Sequence, residues 1–254
     1  MHKAIRMLVP LAAAAVPLAM IPGAAFAGSG GTQYQATLNP INHSSGSGTL
    51  TLTLNGNAAT INENWSGLAP SFGGAAYPHV QHIHGGAKGQ CPSTAADTNG
   101  DGVISTTEGA PFYGGIDTTL SVSGSTAPSA GTNLKIAPSG PSLNYHRTIT
   151  LSAATVRDIT NGTAVIVVHG LDPATLSKKA QSEKSDLVPS LPLAATSPAL
   201  CGALTAMPTG GVATGYSANP SSPEAALIGI GGGLLAAGAA TAGFVLRRRQ
   251  IAGN

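Results

Sequence analysis

The sequence predicts an all-β fold, an antiparallel sandwich or barrel. Three observations lead there. Short runs show period-two alternation of apolar and polar residues, turn signals separate those runs, and no ten-residue stretch before about residue 170 carries a helical period. Tyr34, Ala36 and Leu38 alternate with polar neighbours and predict the first strand. Leu50, Leu52 and Leu54 alternate with threonines, and Asn55-Gly56 follows as a tight-turn signal. Ala58–Trp65, with Ile61 among β-forming residues, completes a hairpin whose turn chemistry tolerates positive φ. Further strands are expected at Tyr77–His84, Thr118–Val122, Arg147–Leu151 and Ala164–His169. Lys178–Ser185 is polar and reads as a short helix or a loop. The spacing of the runs is that of sandwiches and small barrels.

The chain ends predict export and anchoring of a bacterial type. Met1–Ala27 has a basic start (Lys3, Arg6), an apolar run and the small-residue site Ala25-Phe26-Ala27, the pattern of a cleaved signal peptide. Ala225–Leu246 carries no charge and is long enough for one membrane span; Arg247, Arg248 and Arg249 follow, as on the cytoplasmic side of a span. The expected order is a signal over 1–27, an external β-domain over 28–206, a flexible Gly/Ser/Pro/Thr stalk over 207–224, the span over 225–246 and a basic tail over 247–254. Met207-Pro208-Thr209-Gly210-Gly211 loosely resembles a sortase pentapeptide, so the expected location is the cell surface, membrane-anchored or linked to the cell wall. Removing Lys3, Arg6 and the three tail arginines from the 12 basic residues leaves seven, against 10 acidic ones. That slightly acidic exterior argues against nucleic acid as a partner, and the sequence identifies no protein partner.

Cys91 and Cys201 are the two cysteines, and an even count in an exported chain implies a disulfide. Closing so long a loop stabilises by roughly 4–5 kcal/mol in chain-entropy models. It also requires the middle and the end of the domain to touch.

Asp97–Glu108 matches the twelve-residue calcium loop of EF-hands. Calcium takes six to eight oxygens; Asp97, Asn99 and Asp101 offer side-chain oxygens, Val103 its carbonyl, Ser105 a direct or water-mediated contact and Glu108 a bidentate closure. Gly102 permits the bend, and Ile104 is expected to point into the core. The flanks Cys91–Ala96 and Gly109–Gly115 read as turns rather than helices, which predicts a fixed loop around a structural ion.

His79-Val80-Gln81-His82-Ile83-His84 is the second constellation. On a strand His82 and His84 share a face, roughly 7 Å apart, and two imidazoles so placed can converge on a transition metal. His169, ending an apolar strand, is the natural third ligand, with His146 as the spare and His146 or His79 as a fourth ligand in reserve.

Gly67-Leu68, His79-x-x-His82-x-His84-Gly85, Cys91, Val167-Val168-His169 with Asp172, and Cys201-Gly202 together resemble the skeleton of the copper/zinc superoxide dismutases over about Tyr34–Leu204. The resemblance implies an eight-stranded Greek-key barrel, a structural His79, copper ligands at His82, His84 and His169, and a Cys91–Cys201 disulfide. It does not extend to the zinc loop, since no histidine lies between His84 and His146, nor to a guiding arginine, since Ser197-Pro198-Ala199-Leu200 precede the last cysteine. Tyr34-x-Ala36-x-Leu38, with Gly67-Leu68 and His82-x-His84-Gly85, also resembles the chordin-type (CHRD) domain. That resemblance implies a secreted β-module without defined activity. The leading expectation is therefore a surface-anchored, calcium-binding β-domain of CHRD type that serves binding or structure. The alternative is a copper-binding, superoxide dismutase-like redox protein or a surface copper carrier.

Overall fold

A computed structural model describes residues 30–208 of the chain. The predicted signal peptide, the membrane span and everything from Thr209 onward lie outside the described residues. Among the described residues no helix is long and apolar enough to cross a membrane.

The fold begins as a meander. Strands β1 (Thr32–Pro40), β2 (Ser47–Asn55) and β3 (Ala58–Ser66) pair antiparallel in sequence order. Their alternation places Tyr34, Ala36 and Leu38, then Leu50, Leu52 and Leu54, then Ala59, Ile61 and Trp65 on one buried face. Asn55 pairs with Ala58, so the tight turn is Gly56-Asn57, with Gly56 at φ 61°. The minor hairpin β4 (Ser71–Phe72) and β5 (Ala75–Ala76) precedes β6 (Gln81–Gly85). Then come β7 (Gly115–Thr119), β8 (Ser142–Thr150), β9 (Val165–His169), β10 (Pro198–Ala203) and β11 (Thr205–Ala206). The main sheet runs β7-β6-β9-β10-β1-β2-β3-β8, with β11 also on β1, and every pairing is antiparallel.

This is the all-β antiparallel class expected, curled into a half-barrel around the main apolar core. Its two end strands are joined by a side chain rather than a ladder. Arg147 of β8 donates from Nη1 to the Ser121 carbonyl, just beyond β7, at 2.6 Å and to Ser121 Oγ at 2.8 Å. The strand predicted over Tyr77–His84 is divided: Pro78 bridges Ser139, with His79 N donating to the Pro138 carbonyl at 2.8 Å and Gly140 N to the Tyr77 carbonyl at 2.9 Å, before β6 begins at Gln81. The Cys91–Cys201 disulfide is present, with an S–S distance of 2.02 Å. Tyr113, Val165, Val167 and Cys201 form a second, smaller apolar cluster on the outer side of β9.

Among the described residues four short α-helices lie outside the barrel: α1 (Thr106–Tyr113), α2 (Ala153–Asn161), α3 (Lys178–Ser182) and α4 (Leu193–Thr196). The first corrects the expectation of turns after the acidic loop. Ser105 caps α1, accepting from Glu108 N at 3.2 Å, while Ser105 N donates to Glu108 Oε2 at 2.9 Å. This is a capping box, a helix-start signal carried by the same two residues that read as the ninth and twelfth loop positions. Gly109 and Pro111 hide the helical period; Gly109 leaves room for the Tyr113 ring folded over it.

Glu63 sits on the inward face of β3 among the apolar residues, 2% exposed. Neither of its carboxylate oxygens, nor the hydroxyl of its cross-strand partner Tyr145, has a hydrogen-bond partner among the described residues. Burial pushes the carboxyl up to about 8, against the opposing effect of the neighbouring Gln81 side chain. Between the ordinary value of 4.5 and about 8 the folded chain therefore holds a proton that the unfolded chain has released, so stability from this group falls as pH rises through that window. Glu63→Gln is expected to remove this slope, stabilising the chain at pH 8 by several kcal/mol more than at pH 4.5, on the order set by about 1.4 kcal/mol per pH unit. Urea unfolding at the two pH values measures it; equal effects at both would show that Glu63 ionises normally.

Candidate metal centre

The antiparallel register of β6 on β9 sets the site. Gln81 pairs with Val168, His82 with Val167 and His84 with Val165. Ile83, Ile166 and Val168 point into the barrel core, so His82, His84 and His169 share the opposite, outer face. Their ring centroids stand 5.4 Å (His82–His84), 5.2 Å (His82–His169) and 5.8 Å (His84–His169) apart. One nitrogen from each ring lies within 4.8 Å of the others, and all three side chains are buried.

Each ring is held from behind by a backbone carbonyl. His82 Nε2 faces the Gly131 oxygen at 3.0 Å, His84 Nδ1 the Gly114 oxygen at 3.0 Å, and His169 Nδ1 the Thr196 oxygen at 2.6 Å. A carbonyl only accepts, so these nitrogens carry the hydrogens, and the other nitrogen of each neutral ring presents a lone pair. Those other nitrogens, His82 Nδ1, His84 Nε2 and His169 Nε2, are buried and have no hydrogen-bond partner. The rings stay neutral. Burial and then the neighbouring His169 and His84 hold His82 well below the usual imidazole range. Burial and His169 lower His84 to about 3, and burial lowers His169 to about 4. Three unprotonated nitrogens within 4.8 Å of one another, each on a ring whose N–H is anchored on a carbonyl, could hold a transition-metal ion.

A cavity of about 30 Å³ opens beside the rings, walled by Val80, Ile116, Thr132 and Leu187. A single water occupies roughly 10–15 Å³ in this measure, so the cavity has room for little more than one small ligand. Leu187, one of the lining residues, is 48% exposed.

The two reserve histidines are elsewhere. His79 is fully buried, with Nδ1 against the His169 oxygen at 3.0 Å and Nε2 against the Ala69 oxygen at 2.9 Å, so neither nitrogen is free to ligate. His146 lies on the exposed face of β8, with Nδ1 2.6 Å from Asn62 Oδ1. The carbonyls of Gly114, Gly131 and Thr196 were invisible in the sequence, because any residue supplies a carbonyl.

The acidic loop packs beside this site. Asp97 Oδ1 accepts from Gly100 N at 2.8 Å and Oδ2 from Gly102 N at 2.9 Å, while Glu108 Oε1 accepts from Thr98 N at 2.8 Å. Asp101 and Val103 are buried, Ser105 is buried as the α1 cap, and Asn99 Oδ1 accepts from Asp101 N at 2.9 Å. Ile104 is buried, and Asn42 clasps its backbone: Oδ1 accepts from Ile104 N at 2.7 Å and Nδ2 donates to Ile104 O at 2.8 Å.

No protein-family model matches the chain, and no curated protein sequence matches it. Among solved structures the chain is similar to three forms of superoxide dismutase 5 from Candida albicans, each at 14% identity and covering 74% of this chain. Two are single-residue variants, each with a TM-score of 0.39 and coverage of 98% and 97% of that protein. The third is its Cu(II) form, with a TM-score of 0.38 and 99% coverage.

Gly131 follows a helical turn at φ −60°, so backbone strain does not demand a glycine there. Space does: a Cβ would stand 2.7 Å from Ile116 Cδ1 and 3.1 Å from His82 Nε2. Gly131→Ala is expected to destabilise the metal-free chain by roughly 1–3 kcal/mol through overpacking against His82. His146→Ala, on the exposed face, is expected to stay within about 0.5 kcal/mol of the parent. Urea unfolding of the two variants side by side checks the contrast.

Proposed function

We propose that this chain is an exported copper protein of the superoxide dismutase-like kind, binding one copper ion through His82 Nδ1, His84 Nε2 and His169 Nε2. The observation that carries the reading is the set of three buried, partnerless nitrogens facing one point. A binding module with structural histidines would leave each of them unsatisfied, at a cost of about 1–3 kcal/mol apiece. Imidazole suits copper and zinc alike, and the order of divalent affinities peaks at copper. The resemblance of His79-x-x-His82-x-His84, with Cys91 and Cys201, to the copper/zinc superoxide dismutases implies copper as well.

When bound, copper supplies one-electron chemistry toward small oxygen species. The protein's own part is to keep three imidazoles neutral and aimed, through the Gly114, Gly131 and Thr196 carbonyls. Val80, Ile116 and Leu187 restrict the cavity to small ligands. The disulfide fits an oxidising compartment outside the cytoplasm.

A second reading concerns the acidic loop. Helix α3 holds the loop in place: Ser177 Oγ donates to the Asp101 carbonyl and Lys179 Nζ to the Asn99 carbonyl, each at 2.8 Å. A loop so fixed, with the oxygen-donor pattern read from the sequence, supports calcium bound at Asp97, Asn99, Asp101, Val103, Ser105 and Glu108. This ion would have a structural role.

Metal analysis of the purified chain after dialysis against trace copper and zinc tests the first reading. One copper per chain, lost in His84→Ala and His169→Ala but kept in His146→Ala, is expected, and its rate of superoxide removal then decides catalysis against carriage. Absence of stoichiometric copper from the parent chain would sink it. For the loop, calcium at a hundred times its dissociation constant is expected to stabilise by about 2.7 kcal/mol, with the gain abolished in Glu108→Gln. Identical melting with calcium and with chelator would refute that site.

A further inference from the structure

Helix α1 reaches two of the three histidines through their outer nitrogens. At its far end the Gly114 carbonyl accepts from His84 Nδ1 at 3.0 Å, and the Tyr113 ring stands edge-on to His84 at 4.7 Å. At its near end Thr106 Oγ1 donates to the Thr196 carbonyl at 2.6 Å. The same oxygen receives His169 Nδ1, also at 2.6 Å. One carbonyl thus takes two donors on its two lone pairs, one from a ring whose other nitrogen faces the metal point and one from the start of α1, where Thr106 also lines the small cavity. Tyr113 Oη closes the arrangement by donating to the Thr106 carbonyl at 3.0 Å, which ties the two ends of α1 together.

Thr196 ends the four-residue helix α4, where carbonyls have no intrahelical partner, so outside donors set its direction. We propose that Thr106 is a positioning residue of the metal centre, fixing the Thr196 carbonyl that orients His169 and sharing that carbonyl with it. This rests on the copper reading above. Two consequences follow from the shared oxygen. Without the hydroxyl the carbonyl loses a fixed direction, and His169 Nε2 is aimed less tightly. The remaining His169 N–H to carbonyl bond also loses its competitor and strengthens. A stronger bond at Nδ1 makes Nε2 a more basic donor, which favours the higher oxidation state.

The test compares the parent chain with Thr106→Val and Thr106→Ser. Binding of Cu(I) is measured by competition with a chromophoric chelator, and the Cu(II)/Cu(I) potential by redox titration. Second-sphere partners of metal ligands contribute 10–100-fold to affinity, and Thr106 acts one bond further out. Thr106→Val is expected to weaken Cu(I) binding roughly 3–10-fold and to shift the potential negative by about 30 mV, a threefold change in the one-electron ratio. Thr106→Ser keeps the hydroxyl and is expected to restore both. Should Thr106→Val not fold, Thr106→Ala against Thr106→Ser makes the same comparison. Variants that lose melting temperature while keeping the parent's affinity and potential would overturn the proposal and leave Thr106 a purely structural contact. A parent chain that takes no copper would instead overturn the reading beneath it, and the proposal with it.

Discussion

Everything about the site hangs on one backbone pairing, β6 against β9. The antiparallel register of Gln81 with Val168 and His82 with Val167 settles two faces at once. Ile83, Ile166 and Val168 enter the barrel core, and His82, His84 and His169 are turned outward. A slip by one residue would send the imidazoles into the apolar interior and the aliphatic side chains out. The aliphatic packing that stabilises the barrel is therefore the same constraint that assembles the donor set.

An outward face on a sheet would ordinarily meet solvent. Here a second layer of irregular chain covers it, and its pieces come from distant parts of the sequence. The end of α1 brings the Gly114 carbonyl, the turn after Pro128–Ala130 brings Gly131, and α4 brings Thr196. Cys91, in the segment leading to the acidic loop and α1, is bonded to Cys201 on β10. That bond ties the covering layer to the sheet. Tyr113, Val165, Val167 and Cys201 pack together as a small apolar cluster, and the Tyr113 ring stands against His84.

Much of this was legible in the sequence, for physical reasons that differ from element to element. The first three strands announced themselves because one side of the meander is apolar and the other faces water. The three histidines and the disulfide were legible because their residue types are rare and their chemistry narrow. What escaped was of other kinds. Helix α1 escaped because Ser105 and Glu108 read equally well as a capping box and as calcium ligands. The closure by Arg147 escaped because it joins a side chain to backbone oxygens. Glu63 escaped because period-two alternation says which face a residue occupies, and a carboxyl on the buried face looks like a break in the pattern. The reserve roles given to His79 and His146 failed because a ligand needs a free nitrogen aimed at the right point, which spacing does not encode.

The three partnerless nitrogens have a consequence for the life of the molecule. Without a metal the fold keeps three buried lone pairs that no donor satisfies, each a handicap of about 1–3 kcal/mol in a fold whose whole margin is of order 5–15 kcal/mol. On the copper reading proposed above, empty copies would open more often than filled ones and meet proteases more often in consequence. Turnover would then cull the unfilled population, and the steady abundance of the intact protein would track the local supply of metal.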